Sequence, residues 1–344
     1  MIYLLLLTFI AIIFCFSFDN GWKEKINIAC KLSYGNLLSL RGVLVIVIIY
    51  HHLVVCCSLD IKSELISYLF AHLGYLCVAV FLFLSGLGLE YKYNLKGNSY
   101  LCTIPLKIVF FLVVYLNINT LYLISSPLYS SYTVTLKGFC LGLIDGHPLS
   151  GPSWFLLNLI ALYLIYFVSK KLKFSLLFII LGISSLNLIY WFFSYSVIWG
   201  ISNLSFIVGI LASKFLRSRE ICISPLRMIL YSGVLLMLFA FTSFLPEFNY
   251  GNIKYLCQLI STPFFSLLVI ILYSLFVTKR NWFAFLGKHS LEIFLIHVLV
   301  YKILRGNYIY IENELLYVFL VMIISIVISI PLRYVNQYLA KYIR

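Results

Sequence analysis

Charge is scarce in this sequence. Asp, Glu, Lys and Arg make up 10% of its 344 residues, while 63% are hydrophobic. A soluble globular domain is nearer half apolar and a quarter charged. One water-soluble core could not hide so much apolar surface, whereas lipid can, and the chain is too apolar for disorder. Acidic residues are the rarest charges: 11, against 25 Lys and Arg, for a net charge of +14. The positive charge forms no patches interleaved with polar surface, as a phosphate-binding face requires, so nucleic acid is not the expected partner. The nine cysteines contain no CxxC pair and most lie in or beside apolar runs. They read as small buried hydrophobes, and no metal is expected. GxGxxG, Walker A, HExxH and the nucleophile elbow are all missing, which leaves nucleotide hydrolysis and metalloprotease chemistry without support. No internal repeat, coiled-coil pattern or soluble domain stands out.

What is present is a series of long apolar runs. A membrane-crossing helix takes about 20 predominantly apolar residues. Such stretches fall near 2–18, 42–59, 66–89, 104–124, 152–169, 173–191, 198–215, 226–244, 256–277, 289–305 and 314–335. The expected fold is an all-α integral membrane protein, a polytopic bundle of about eleven transmembrane helices. The segment 134–144 is short and contains glycine, and reads as an interfacial or re-entrant piece. The first run has no Lys or Arg before Lys23 and no small-residue cleavage site, so it reads as a retained helix rather than a signal peptide. The short basic runs set the orientation. With the N-terminus outside and the C-terminus inside, all but five of the basic residues (Lys62, Lys137, Lys254, Lys302 and Arg305) fall on the inner side. That is the distribution the positive-inside rule expects.

Polar residues within spans are costly and usually functional. Arg41 and His52 stand eleven residues apart in the second span, nearly on one helical face, with a rise of roughly 16 Å between them. His52 suits a general base; the plainer alternative is a packed histidine bonded to a neighbouring helix. His51 faces about a quarter-turn away. In the third span, Gly86 and Gly88 read as close-packing residues and Ser85 as a hydrogen-bonding partner. Trp154 reads as an interfacial belt residue, and the alternative for this stretch is that the Gly151-Pro152-Ser153 turn before it shapes a pocket mouth. In the tenth span, Ser290 and His297 share a face. Glu292 would pair with Lys288 or with a cation from elsewhere.

Four stretches carry a resemblance: LRGVLVIVIIYHH (40–52), FLFLSGLGLEY (81–91), SWFLLNLIALYL (153–164) and LGKHSLEIFLIH (286–297). Each is degenerate alone. In this order the chain from about 36 to 335 resembles the membrane-bound acyltransferase 3 family of bacterial O-acyltransferases. The resemblance implies a ten-helix bundle that begins with the Arg41–His52 helix, preceded by an extra helix (1–18) and followed by a cytoplasmic tail (336–344). It implies location in the bacterial cytoplasmic membrane and transfer of an acyl group, usually acetyl, from cytoplasmic acetyl-CoA or another acyl-CoA. The acceptor would be a hydroxyl of a surface polysaccharide or its lipid-linked glycan precursor, with glycan biosynthesis proteins as possible partners. By motif, Arg41 and His52 match the essential catalytic pair. His51, Ser85, Trp154, Glu292 and His297 are supporting candidates, and Arg41, Lys96 and Lys107 are donor-binding candidates. The family's arginine pair is missing before Pro105, where Lys96 and Lys107 are the only nearby cations. Lysine is not an equivalent phosphate ligand. The main rival from another class is a transporter or flippase for a lipid-linked glycan, although the inverted repeats common in transporters are not evident.

Overall fold

The structure, a computed structural model, describes residues 16–18, 25–28, 32, 34–56, 64–130, 134–145, 147–192, 199–218, 222–244, 252–278 and 281–341. It is almost wholly helical. The long helices are α1 (Tyr34–Cys56) and α2 (Glu64–Lys96), followed, after the one-turn α3 (Asn98–Leu101), by α4 (Ile104–Ile124). A second one-turn helix, α5 (Ser126–Tyr129), leads to the short α6 (Leu136–Ile144). Then come α7 (Trp154–Lys171), α8 (Leu176–Phe192), α9 (Asn203–Ser218), α10 (Pro225–Phe244) and α11 (Asn252–Ser274). The series closes with α12 (Asn281–Lys288), α13 (Ser290–Leu304) and α14 (Glu314–Lys341). Two small antiparallel ladders pair Phe16–Phe18 with Phe276–Thr278 and Ile26–Asn27 with Cys222–Ile223.

Seven of these segments are long and apolar enough to cross a membrane. An eighth arises if α12 and α13, bent by 73° at His289, form one broken span. The apolar helices at 176–192 and 203–216 are shorter. Each expected span from 42 onward therefore contains a helix, but not each is long enough to count as a crossing by itself. The expected first span lies outside the described residues apart from 16–18, which form a strand. The last helix continues to Lys341, beyond the expected end at 335. The 134–144 segment forms α6, none of whose residues is buried.

Glycine decides the closest helix contacts. Without a hydrophobic drive between helices in lipid, small residues that let backbones approach favour packing. A Cβ on Gly86 of α2 would strike the Phe206 carbonyl of α9, and one on Gly209 of α9 would strike the Phe83 carbonyl. Gly42 of α1 and Gly287 of α12 make the same reciprocal contact through Phe283 and Leu38. Gly88, paired with Gly86 in the sequence reading, has open space around it. The cysteines also depart from expectation. Cys77 is buried, but Cys102, Cys140 and Cys222 are exposed on the bundle surface.

Burial is uneven. Twelve residues of α13, including His297, are buried, and α1 and α2 are mostly buried too. By contrast, α10 presents most of its apolar side chains outward. The helices are apolar all round, so sequence periodicity does not mark their inner faces. A buried amide chain ties α7, α8 and α9 together. Asn158 Nδ2 donates to Asn203 Oδ1 at 2.7 Å, and Asn203 Nδ2 donates to Asn187 Oδ1 at 2.8 Å.

Candidate active site

Arg41 and His52 sit at two ends of the α1 face turned toward α2 and α13. Between them lies a cavity of about 160 Å³. Arg41 lines it, with Ser85 of α2, Tyr163 of α7 and Ser290 of α13. Its other walls come from Val78, Phe81, Phe111, Phe155, Leu159, Leu291 and Phe294. At a rise of about 1.5 Å per helical residue, Ser85 to Val78 and Tyr163 to Phe155 each span roughly 10–12 Å along the bundle. The cavity is therefore elongated. The Arg41 guanidinium and three hydroxyls sit at one end, and apolar and aromatic side chains enclose the other. Ser85 Oγ donates to the Phe81 carbonyl at 2.9 Å, and its hydroxyl also interacts with that of Tyr163, which lies within the field of Arg41.

The histidines stand beyond the apolar end. His52 and His297 meet edge to face with ring centroids 4.8 Å apart, and His51 packs against His52 at the same distance. In each ring Nδ1 faces a backbone carbonyl: Ile48 for His52 at 3.0 Å, Ile293 for His297 at 3.1 Å and Phe70 for His51 at 2.6 Å. A carbonyl only accepts, so Nδ1–H donates and each Nε2 keeps its lone pair. His297 is fully buried, and its Nε2 has no hydrogen-bond partner among the described residues. His72 adds a fourth imidazole close enough to act electrostatically on His51. Gly74 lies directly against the His51 ring, where a Cβ would clash. Among the described residues no group of His, Cys, Asp or Glu could hold a metal ion. The arrangement is suited to proton transfer: a carbonyl bond on one nitrogen orients each ring and leaves the other nitrogen as a base.

Charged pairs brace the Arg41 end from outside the cavity. Glu90 is buried at 1% exposure, accepts from Tyr166 Oη at 2.8 Å and pairs with Lys170 Nζ at 2.8 Å. Lys170 also sits 4.6 Å from the Tyr93 ring centroid. Glu292 is buried and pairs with Arg333 of α14 at 3.9 Å, a cation from elsewhere in the chain rather than Lys288. Lys288 contributes its backbone carbonyl, which accepts from Arg333. Both carboxylates thus serve helix–helix ion pairs and do not line the cavity.

The other expected site residues scatter. Lys107 donates to Tyr100 Oη at 2.6 Å and lies 4.1 Å from that ring's centroid. Together with Lys341, Gln337 and Phe110 it lines a separate cleft of about 640 Å³ between α4 and α14. Lys96 is exposed. Trp154 stacks on Trp199, with centroids 6.0 Å apart and planes 27° apart, and also touches Phe155. The sequence reading missed Tyr163, Phe155, Phe294 and His72. Phenylalanine and tyrosine carry no signal in a chain with 29 Phe and 27 Tyr, and only the assembled bundle brings them to one cavity.

The family model for an acyltransferase domain, Acyl_transf_3, matches residues 34–334, which run from the start of α1 into α14. No curated protein and no solved structure matches the chain. With the match extending over most of its length, through the Arg41 cavity and the imidazole cluster alike, the chain belongs to the membrane-bound acyltransferase 3 family, and it is an enzyme that transfers acyl groups.

Proposed function

We propose that this enzyme takes an acyl group from acyl-CoA on the cytoplasmic side of a bacterial inner membrane and places it on a hydroxyl of a surface glycan or of that glycan's lipid-linked precursor. The observation that carries this reading is the elongated cavity lined at one end by Arg41 and at the other by Phe294, whose ring lies 6.1 Å from that of His297, the neighbour of His52. The bundle then has about eleven spans, an outer N-terminus and an inner C-terminus, and the Arg41 end faces the cytoplasm. The basic loops support that orientation, and family membership supports the donor class.

Arg41 holds the donor at the mouth of the cavity. A fixed cation there suits phosphate groups, or the negative charge that develops on a thioester carbonyl. Lys107 lies close enough to Lys92 for their charges to interact. With Lys341 across the cleft, these lysines offer diffuse positive charge for the nucleotide end of the donor in place of the missing arginine pair, and exposed Lys96 adds to that field. His52 accepts the hydroxyl proton of the acceptor through Nε2. The oxygen–acyl bond forms as the acyl–sulfur bond breaks, and the proton ends on the released thiol. His51 and Ser85 position this machinery, through contact with His52 and through the polar end of the cavity. Trp154, near the expected outer surface, frames the acceptor side. Glu292 holds α13 in place through Arg333.

Membranes containing the protein, supplied with radiolabelled acetyl-CoA, are expected to transfer label to a cell-surface glycan fraction, and His52→Ala is expected to abolish that transfer. Full transfer by His52→Ala would remove His52 from the chemistry. Movement of a lipid-linked glycan across the bilayer without covalent change would replace acyl transfer with transport.

A further inference from the structure

The start of α13 faces the Arg41 cavity. Ser290, its first residue, lines the cavity, is 8% exposed and forms no side-chain hydrogen bond within the described part of the chain. A buried hydroxyl without a partner is uncommon and calls for an explanation. The other two hydroxyls at that end are engaged: Ser85 donates to the Phe81 carbonyl and also interacts with Tyr163. The 73° bend at His289 gives α13 an N-terminus of its own. Its first backbone bond runs from the Ile293 N–H to the His289 carbonyl, so the N–H groups of Ser290 and Leu291 precede the ladder. Such groups carry the positive end of a helix dipole and suit an anion. The carbonyls that end α12 are occupied: Lys288 accepts from Arg333, and Phe285 and Leu286 accept from the His289 N–H. The backbone contact between Gly42 and Gly287 holds this elbow against α1, one residue from Arg41. No carboxylate lines the cavity, since Glu292 pairs with Arg333.

We propose that Ser290, with the N-terminus of α13 and Arg41, binds the phosphate that heads the pantetheine arm of the acyl-CoA donor. This inference rests on the acyl-CoA reading above and assigns Arg41 to a phosphate rather than to the thioester carbonyl. Distance separates those two roles. A base must come within hydrogen-bond reach of the proton it takes, and Arg41 lies roughly 16 Å along α1 from His52. The guanidinium and the reacting carbon are therefore in different places. Charge agrees. A phosphate is permanently anionic, and its several acceptor oxygens can take the guanidinium, the Ser290 hydroxyl and backbone N–H groups together. The acyl group stays on the donor sulfur at the other end of the arm, and no free acyl species is needed. Ser290 is thus a donor-binding residue and takes no part in proton transfer.

The test measures transfer by membranes containing the full chain from acetyl-CoA, acetyl-4′-phosphopantetheine and acetyl-pantetheine, the last of which has no phosphate. Acetyl-pantetheine is read as an inhibitor of labelled transfer where it is too slow as a donor. A KM does not depend on how much protein is folded. Ser290→Ala is expected to raise KM for the two phosphate-bearing donors about tenfold, with kcat and the acetyl-pantetheine constant unchanged within twofold. Ser290→Thr, which keeps the hydroxyl, is expected to stay near wild type. Ser290→Cys, nearly the same size but a weak donor, is expected to move KM as Ser290→Ala does and serves if that variant is not produced. An equal rise with all three donors would overturn the proposal, since a lipid headgroup phosphate or a packing role would act that way. So would a rise with acetyl-CoA alone, which would move the contact to a phosphate farther from the arm, or no rise beyond twofold with any donor. Absence of transfer from acetyl-CoA by the wild type would instead defeat the acyl-CoA reading, and this site with it.

Discussion

The two ends of the central cavity are built by different rules. At the Arg41 end, polar groups are held by other polar groups: Ser85 and Tyr163 beside the guanidinium, Glu90 with Tyr166 and Lys170, and Glu292 with Arg333. At the histidine end, His52 and His297 are bonded at Nδ1 to the carbonyls of their own helices, four residues back, and their rings meet edge to face with centroids 4.8 Å apart. Cross-helix ion pairs brace the helices around that end of the cavity. Self-bonded imidazoles leave base nitrogens uncommitted. The first arrangement suits binding and the second suits proton transfer.

Kinetic variants should break this comparison most sharply. Removing a positioned base typically costs on the order of 10²–10⁴ in rate, so His52→Ala is expected to act on kcat at that scale with little change in donor KM. Arg41→Ala is expected to lower kcat/KM for the donor by on the order of 10², largely through KM, with Arg41→Lys recovering only part because the planar fork is lost. Initial rates at varied acyl-CoA separate the two. A histidine variant acting through KM, or an arginine variant acting only through kcat, would reverse the assignment of the two ends.

Stability variants sharpen it at smaller scale. Leaving one charge of a buried pair without its partner costs about 3–5 kcal/mol, whereas replacing both by apolar groups is often close to neutral. Glu90→Ala is therefore expected to lower the melting temperature in detergent markedly, and the double change Glu90→Leu with Lys170→Met to restore most of it. Equal loss in both would mean that the Tyr166 and Tyr93 contacts, not the ion pair, brace the mouth. The smallest effects distinguish two glycines two residues apart. Gly86→Leu drives a side chain into the α9 backbone and is expected to cost about 1–3 kcal/mol. Gly88→Ala meets nothing within 4 Å and is expected to stay within about 0.5 kcal/mol. Melting curves of the two variants compare them directly.

Much of the frame was legible in advance. Apolar runs located the long helices α1, α2, α4, α7 to α11, α13 and α14, because a membrane span is a local property of about 20 residues. Gly86 was recognised as a packing residue for the right reason, and Gly88 was not separable from it, since its neighbours come from another helix. Arg41 and His52 were visible as polar residues on one face. Their partners were not. His297 shares a helical face with Ser290, but nothing in the sequence places it against His52, and nothing links Glu292 to Arg333 rather than Lys288.

The sequence by itself determined that the chain is a helical membrane protein, where its long apolar helices lie, and, through motifs spaced along most of its length, the family to which it belongs. These follow from transfer free energies and from residue identity, both of which can be read in chain order. Only the tertiary structure decided that Arg41 lines a cavity with residues of α2, α4, α7 and α13, and that His52 stands beside His297. Those contacts join helices far apart in sequence, and in helices apolar on every face no periodicity says which side will meet which.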